Sequence, residues 1–395
     1  MPEAVVVGAG PGGLAAAAML QRAGVETLVV DRADAVAAAW RGHYERLHLH
    51  TVRWLSHLPG YKIPRRYGKW VARDDVVRYL EDYAEHHRLD VKLQTEITRI
   101  DRDGDHWILR SPQRDLSATY VVVANGHNHT PDLPDWPGTF NGEVLHASAY
   151  RNATPYVGKD VVVVGSGNTG AEIALDLVET GAASVKVAIR TPPHIVFREQ
   201  NGVVNPVFGV LFRYFPPRIF DPIARKLRDA TVGDLTPLGL PAPAEGLLER
   251  VLRDDAIPLV DMGFLDALKA GRLSVIAAVV GFSGDEVLLA DGTAITADAV
   301  IAATGYQRGL APIVGHLGVL RADGRPRARG GHTEQHAPNL WFTGFTNPIS
   351  GMFRELGIDA KKIARAVVRQ RRSGLVDTLR VTAPRVIPGK EPVGR

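Results

Sequence analysis

Two stretches of this 395-residue chain carry the same signal. Each runs from a short apolar segment through a glycine-rich turn into small and apolar residues at helical spacing. The first is Ala4 to Val7, then Gly8, Gly10, Pro11, Gly12 and Gly13, with an alanine-rich helical pattern from Leu14 to Ala23. The second is a valine run at 161–164, then Gly165, Ser166, Gly167, Asn168, Thr169 and Gly170, again followed by a helical pattern. Strand, G-x-G-x-x-G turn and helix in that order form a dinucleotide-binding fingerprint. Glycine lets the backbone approach a pyrophosphate, and the helix N-terminus offers it free N–H groups and partial positive charge. A chain with two such units is an α/β protein with two Rossmann-like domains, and two loops require two nucleotides.

The residue closing the second strand of each unit separates the two ligands. In the first unit that strand closes at Asp31, where the fingerprint places a carboxylate for a ribose hydroxyl. In the second unit the strand 184–189 ends at Arg190, at almost the same distance from its first glycine. An arginine there suits the 2′-phosphate of NADPH, which it can hold in bidentate fashion; the bland alternative is a surface arginine.

Composition closes off several classes. The chain has no cysteine, which excludes disulfides, thiolate metal sites, iron–sulfur clusters and a redox dithiol. Lys+Arg 47 against Asp+Glu 43 is a mild excess spread along the chain, with no basic run and no aromatic–basic interleaving, so no nucleic-acid partner is expected. The apolar stretch from Ala4 to Leu20 imitates a secretory signal but lacks a basic lead-in. No segment is long enough for a transmembrane helix, and a cytoplasmic protein is expected.

Between and after the units the pattern predicts a helix over Arg73 to Arg88 and a meander from Val91–Leu93, Glu96–Ile100 and His106–Arg110. A buried strand at Tyr120 to Ala124 comes next, leading to Asn125-Gly126. His127 and His129 then read as loop residues. The segment 40–59 is dense in aromatics and histidines. His48 and His50 alternate and would share a face on a strand. No further ligands stand at a metal-site spacing, so no metal is expected; ordinary packing and contact with a nucleotide stay open. Residues 207–228 are apolar and aromatic and broken by Pro216 and Pro217. Plain packing ranks first for them, ahead of a substrate-access insertion, a dimer surface and a peripheral membrane contact. Later strands are expected over 273–280, 286–289, 293–297, 298–306 and 339–345, with a closing helix over 358–371.

One string upstream of the second turn, Phe140, Gly142, His146 and Tyr150 at F-x-G-x-x-x-H-x-x-x-Y spacing, resembles the identifying sequence of flavin-containing monooxygenases. With the loops GAGPGG (8–13) and GSGNTG (165–170) and the ATGY turn (303–306), the chain resembles a short class B flavin-dependent monooxygenase. It is most similar to the YUCCA-type indole-3-pyruvate monooxygenases and their bacterial relatives. The resemblance implies an FAD-binding domain at 1–155 and 306–375, an NADPH-binding domain inserted at 156–305, and a C-terminal tail at 376–395. It implies FAD on Gly8, Gly10, Pro11, Gly12, Gly13 and Asp31, and NADPH on Gly165, Ser166, Gly167, Asn168, Thr169, Gly170 and Arg190. Arg32, Trp40, His48, Ile97, Asn125, Gly126, Thr304, Gly305, Gly344 and Phe345 complete the cofactor-binding candidates.

Trp40, His50 and Arg53, with the segment Thr343 to Phe353, are the candidates beside the flavin. His146 and Tyr150 are expected at the hinge between domains, coupling nicotinamide binding to domain motion. Two departures stand out: Tyr150 where Baeyer–Villiger enzymes of the class carry Trp, and Asn125 where ATG is usual. The implied chemistry takes a hydride from NADPH to FAD. It then takes one oxygen atom from O2, through a C4a-(hydro)peroxyflavin, to an amine, thioether or 2-oxo acid. An NADPH oxidoreductase that oxygenates nothing and a non-catalytic flavin-binding redox module are the competing readings. A homodimer is the default expectation.

Overall fold

The computed structural model describes residues 1–200, 203–204, 209–210 and 215–382. In chain order it builds Ala4–Val7 (β1), Thr27–Val30 (β2) and Asp90–Lys92 (β3). A meander of Arg99–Asp103, His106–Arg110 and Leu116–Ala118 (β4–β6) precedes Tyr120–Val123 (β7). Next come Glu143–His146 (β8), Asp160–Val164 (β9), Ser184–Ala188 (β10) and Ser274–Ile276 (β11). A second meander, Val279–Ser283, Glu286–Leu289 and Ala294–Thr296 (β12–β14), leads to Ala299–Ala302 (β15), and Leu340–Phe342 (β16) comes last. The main helices are Pro11–Arg22 (α1), Arg73–His86 (α2), Asn168–Thr180 (α3), Pro217–Thr231 (α4), Leu247–Asp254 (α5), Phe264–Lys269 (α6) and Met352–Thr382 (α7).

These elements form two copies of one plan. The first sheet runs β16-β7-β1-β2-β3 and the second β11-β10-β9-β15-β8, every pairing parallel. Parallel strands need crossovers, so both faces become covered and the strands turn apolar throughout. In β1, Ala4 and Val6 face a core shared with α1, α2 and α7, while Val5 and Val7 face the first meander. In β9, Val161 and Val163 face the helices and Val162 faces the second meander. The chain leaves the first sheet after β7, completes the second, and returns through β16 and α7. The second Rossmann-like unit is thus inserted into the first.

Several expected boundaries shift for identifiable reasons. Val91 pairs in parallel with Val29, so that strand belongs to the main sheet, and the meander takes Leu116–Ala118 as its third strand. The strand expected from Glu96 starts at Arg99. The run 273–280 divides into β11 and β12, because the chain crosses there from sheet to meander. The closing helix spans Met352–Thr382, past both expected ends, and so enters the tail expected from 376. Gly357 is tolerated in it because Pro59 passes close: a Cβ there would lie 3.2 Å from Pro59 Cδ. Residues 383–395 lie outside the described part, as do 207–208 and 211–214 of the apolar, proline-broken segment. The later half of that segment is α4, whose Ile219, Ile223 and Leu227 are exposed. The strand β8 hydrogen-bonds to β15 of the second sheet, although it precedes the domain boundary expected at 155/156.

Candidate active site between two nucleotide turns

The two glycine turns are built alike, glycine by glycine. Gly8 has φ +115°, and a Cβ there would lie 2.4 Å from the Ala124 carbonyl oxygen at the end of β7. Gly165 has φ +126°, and its Cβ would lie 2.4 Å from the Ala303 carbonyl oxygen after β15. A Cβ at Gly13 would meet the Gly8 carbonyl oxygen at 1.8 Å, and one at Gly170 the Gly165 oxygen at 2.4 Å. Gly10 and Gly167, the N-caps of α1 and α3, face nothing within 4 Å. Two glycines per turn therefore serve close backbone packing, and the third leaves open space at the helix N-terminus, the geometry a pyrophosphate site requires.

The surroundings of the first turn suit a flavin dinucleotide. Asp31 uses both oxygens on the loop, accepting from Ala9 N at 2.6 Å and Ala33 N at 2.9 Å. A carboxylate offers about four lone pairs, so acceptor capacity remains for a ribose. Asn125, the departure from the usual turn, sits beside Gly8, and both its amide atoms are buried without a partner. The Thr343 hydroxyl, 3% exposed and beside Gly12, is likewise unpaired. Buried polar atoms are rarely left so unless a ligand completes them. Gly126 and Gly344 hold left-handed backbone beside these two. Ile97 and Phe345 are buried in the core under the sheet, and Arg32 is exposed.

In the second unit, matching backbone bonds give the correspondence. Gly8 N bonds to Val30 O, and Gly165 N to Ala188 O. Ile189 is therefore the counterpart of Asp31, and the exposed Arg190 that of Arg32. An apolar side chain stands where an NAD-type site carries its carboxylate, with a cation next to it. Ser166 donates to Thr191 O, and Asn168 bridges Pro258 O and Val260 N, which ties the turn to the strand Leu259–Asp261.

The string from Phe140 to Tyr150 is a set of structural ties. Phe140 packs on Phe282 of β12 at 5.1 Å. A Cβ at Gly142 would lie 2.5 Å from Asp298 O, so only glycine lets β8 join the sheet edge there. His146, 7% exposed, accepts from Ser148 N on Nδ1 and donates from Nε2 to Gly305 O at 2.9 Å. Burial holds its pKa below the usual value, so it stays neutral in that tautomer. Gly305, at φ +94°, and Thr304, bonded to Asp132 O, are the turn it pins. Tyr150 is buried and donates to Asp176 of α3.

The segment 40–53 lies along the seam. Half-buried Trp40 packs edge-on against Phe353 at 5.8 Å and contacts the cores of both units. His48 and His50 do not share a strand face: His48 pairs only in an isolated bridge with Ala72, and its Nδ1 turns to Arg46 O. His50 Nε2 instead reaches Glu172 Oε1 at 2.5 Å. Arg53 does not face the seam as a free cation; it donates to Gly68 O and Ile63 O and stitches its own loop. Sequence reasoning missed Glu172, Asp176 and Glu179. Their i, i+4, i+7 spacing in α3 was the available signal, three acids on one face of a mostly apolar helix. His127 is a loop residue, as expected; burial lowers its pKa beside Arg308 and Asp255, and Asp255 Oδ2 lies 3.5 Å from Arg308 and 3.3 Å from Arg325.

The family model described as pyridine nucleotide-disulphide oxidoreductase matches residues 5–207, just over half the chain. The chain is 30% identical to probable indole-3-pyruvate monooxygenase YUCCA3 of Arabidopsis thaliana over 93% of its length and 86% of that protein. It is 35% identical to indole-3-pyruvate monooxygenase YUCCA1 of Oryza sativa subsp. japonica over 78% and 77%. The chain belongs to the class B flavin-dependent monooxygenases.

Solved members share the fold. A flavin-containing monooxygenase from Stenotrophomonas maltophilia superposes with TM-score 0.70 at 23% identity, covering 95% of this chain and 99% of that one. Cyclohexanone monooxygenase from Rhodococcus sp. Phi1 bound to NADP+ gives 0.71 at 19% identity, covering 94% and 85%. As a class B monooxygenase the chain uses FAD and NADPH. It has no cysteine, so the thiol chemistry in the family model's description has no residue to act through. Among the described residues no helix is long and apolar enough to cross a membrane.

Proposed function

We propose that this monooxygenase inserts one atom of O2 into a small organic substrate, an amine, a thioether or a 2-oxo acid, by the oxygen-adduct route that its family resemblance implies. The observation that carries the reading is the pair of matching glycine turns at the C-terminal ends of two parallel sheets, joined by one aromatic seam. In open α/β sheets that edge is where nucleotides bind. The bound cofactors supply electron transfer from a nicotinamide to a flavin and on to O2.

The chain's own residues do the rest. Gly8, Gly10, Pro11, Gly12 and Gly13 would cradle the FAD pyrophosphate, with Asp31 on its ribose and Asn125 and Thr343 completing its polar contacts. Gly165, Ser166, Gly167, Asn168, Thr169 and Gly170 would cradle NADPH, with Arg190 on its 2′-phosphate. Trp40 and Phe353 would keep water out of the seam, where an oxygen-transfer step loses yield to hydrolysis and proton leakage. A cytoplasmic setting and a division into FAD and NADPH domains near the expected limits belong to the same proposal.

Turnover under ¹⁸O2 tests it. Candidate amines, thioethers and 2-oxo acids are offered with NADPH, and each product is weighed. One ¹⁸O per product molecule supports the reading. Steady NADPH consumption with unlabelled product throughout makes the protein an oxidoreductase that oxygenates nothing.

A further inference from the structure

Glu172 is 3% exposed, on the first turns of α3 just past the second glycine turn. A carboxylate so placed is costly unless it is paired. One partner comes from the other unit: His50 Nε2 lies 2.5 Å from Oε1. A carboxylate only accepts, so His50 carries hydrogen on Nε2 and donates it. Nδ1 has no protein partner among the described residues, and the side chain is 26% exposed.

The groups around the pair include neutral rings and charged arginines. The Tyr44 hydroxyl also donates to the Glu172 carboxylate; burial first, then that carboxylate, raises it well above its ordinary value, so it stays protonated. Burial and Arg151 pull His43 down to about 4, so it is neutral at pH 7. Arg198 keeps its guanidinium charge within Coulombic reach of Glu172, stacked over the Trp70 ring at 3.9 Å.

The pair stands between the two turns. On one side Glu172 belongs to the helix that starts at Gly167. On the other, Thr51, next to His50, packs against Gly351, where a Cβ would meet its Cγ2 at 2.7 Å. From there α7 sends Leu356 to within 3.0 Å of a Cβ at Gly12.

We propose that Glu172 is a positioning residue for His50. It fixes the ring as the Nε2–H tautomer and leaves Nδ1 to hold or accept a proton beside a ligand seated between the turns. A hydride delivered to a neutral acceptor leaves negative charge in the pocket, and a proton-holding group fixed nearby offsets it. The inference rests on the monooxygenase reading and adds a residue that reading does not use.

Two measurements on the FAD-loaded protein test it. Ring ¹⁵N spectra, with the His50 signal assigned by its absence in His50→Gln, should show the neutral ring as Nε2–H. That preference should be lost in Glu172→Met and kept in Glu172→Gln, whose amide oxygen still accepts. Anaerobic bleaching of the flavin band by NADPH should slow roughly 10²-fold in Glu172→Met, with NADPH affinity within about twofold of wild type. Glu172→Gln should recover at least about a tenth of the rate.

A neutral wild-type ring with its hydrogen on Nδ1 and none on Nε2, or wild-type bleaching in Glu172→Met with FAD bound, overturns the proposal. If Glu172→Met does not hold FAD, the wild-type ring spectrum and Glu172→Gln decide alone. Wild-type protein that holds FAD and is not bleached at all overturns the monooxygenase reading itself. Normal wild-type bleaching with an unaffected Glu172→Met removes only the role of Glu172.

Discussion

Tyr150 donates its hydroxyl to Asp176 Oδ2 at 2.6 Å, and Arg46 of the other unit reaches the same carboxylate at 3.4 Å and Glu179 at 2.9 Å. The last residue of the identifying string is thus bolted to α3, on the face that also carries Glu172. Tyr150→Phe removes the donor and leaves a half-buried carboxylate with one partner fewer. It should cost about 1–3 kcal/mol in urea unfolding. FAD content and NADPH affinity should be unchanged, because the hydroxyl is spent within the protein.

The glycine turns make a sharper prediction, because their positions differ in what a methyl would meet. Gly8→Ala and Gly13→Ala drive a Cβ into backbone oxygen, so both should give little folded, FAD-loaded protein. Gly10→Ala meets nothing in the chain itself. It should fold with a melting temperature close to that of wild-type apoprotein, yet bind FAD at least about tenfold more weakly. Flavin content per mole of protein checks both outcomes.

Arg190 is exposed and next to Ile189, which stands where a ribose-binding acid would be. Arg190→Ala should raise the KM for NADPH by about 10- to 100-fold, the worth of a charge-assisted contact of roughly 1.5–3 kcal/mol. The KM for NADH should move by less than about twofold. Steady-state kinetics with both coenzymes read the difference, and equal effects on both would remove the phosphate role.

Acid should weaken the fold through buried histidines. Burial and Arg151 pull His43 to about 4, and burial with Arg250 pulls His194 to about 4. The unfolded chain takes these protons first, near pH 6.5. The stability from keeping the rings neutral is complete above pH 6.5 and is lost as pH falls from there through 4. The slope is up to about 1.4 kcal/mol per pH unit for His43, and less for the more exposed His194. Urea midpoints at pH 7, 6 and 5 should fall accordingly, and His43→Gln should flatten the decline.

Much of this architecture is legible in the sequence because local chemistry dictates it. Valine runs buried on both faces, glycines where backbones touch, and Asp31 at a strand end are properties of single segments. The string from Phe140 to Tyr150 is legible as a pattern, whereas its physical content is not. That Gly142 clears Asp298 O, or that His146 reaches Gly305 O, depends on parts of the chain brought back from residue 298 onward. The same limit hid Glu172. His50 and Glu172 are far apart in sequence, and neither position alone distinguishes a paired carboxylate from a solvated one. Arg53 shows the converse: its place in an aromatic, histidine-rich segment suggests a role at the seam, and its donors go to nearby carbonyls.

The central claim is that electrons pass from NADPH to a flavin held by this chain. The most direct test adds one equivalent of NADPH to the purified, flavin-loaded protein without oxygen and tracks the visible flavin band. The account predicts that the band bleaches in full and returns when air is admitted. A colourless polypeptide that takes up no FAD on reconstitution, or a flavin band that NADPH leaves untouched, would contradict it.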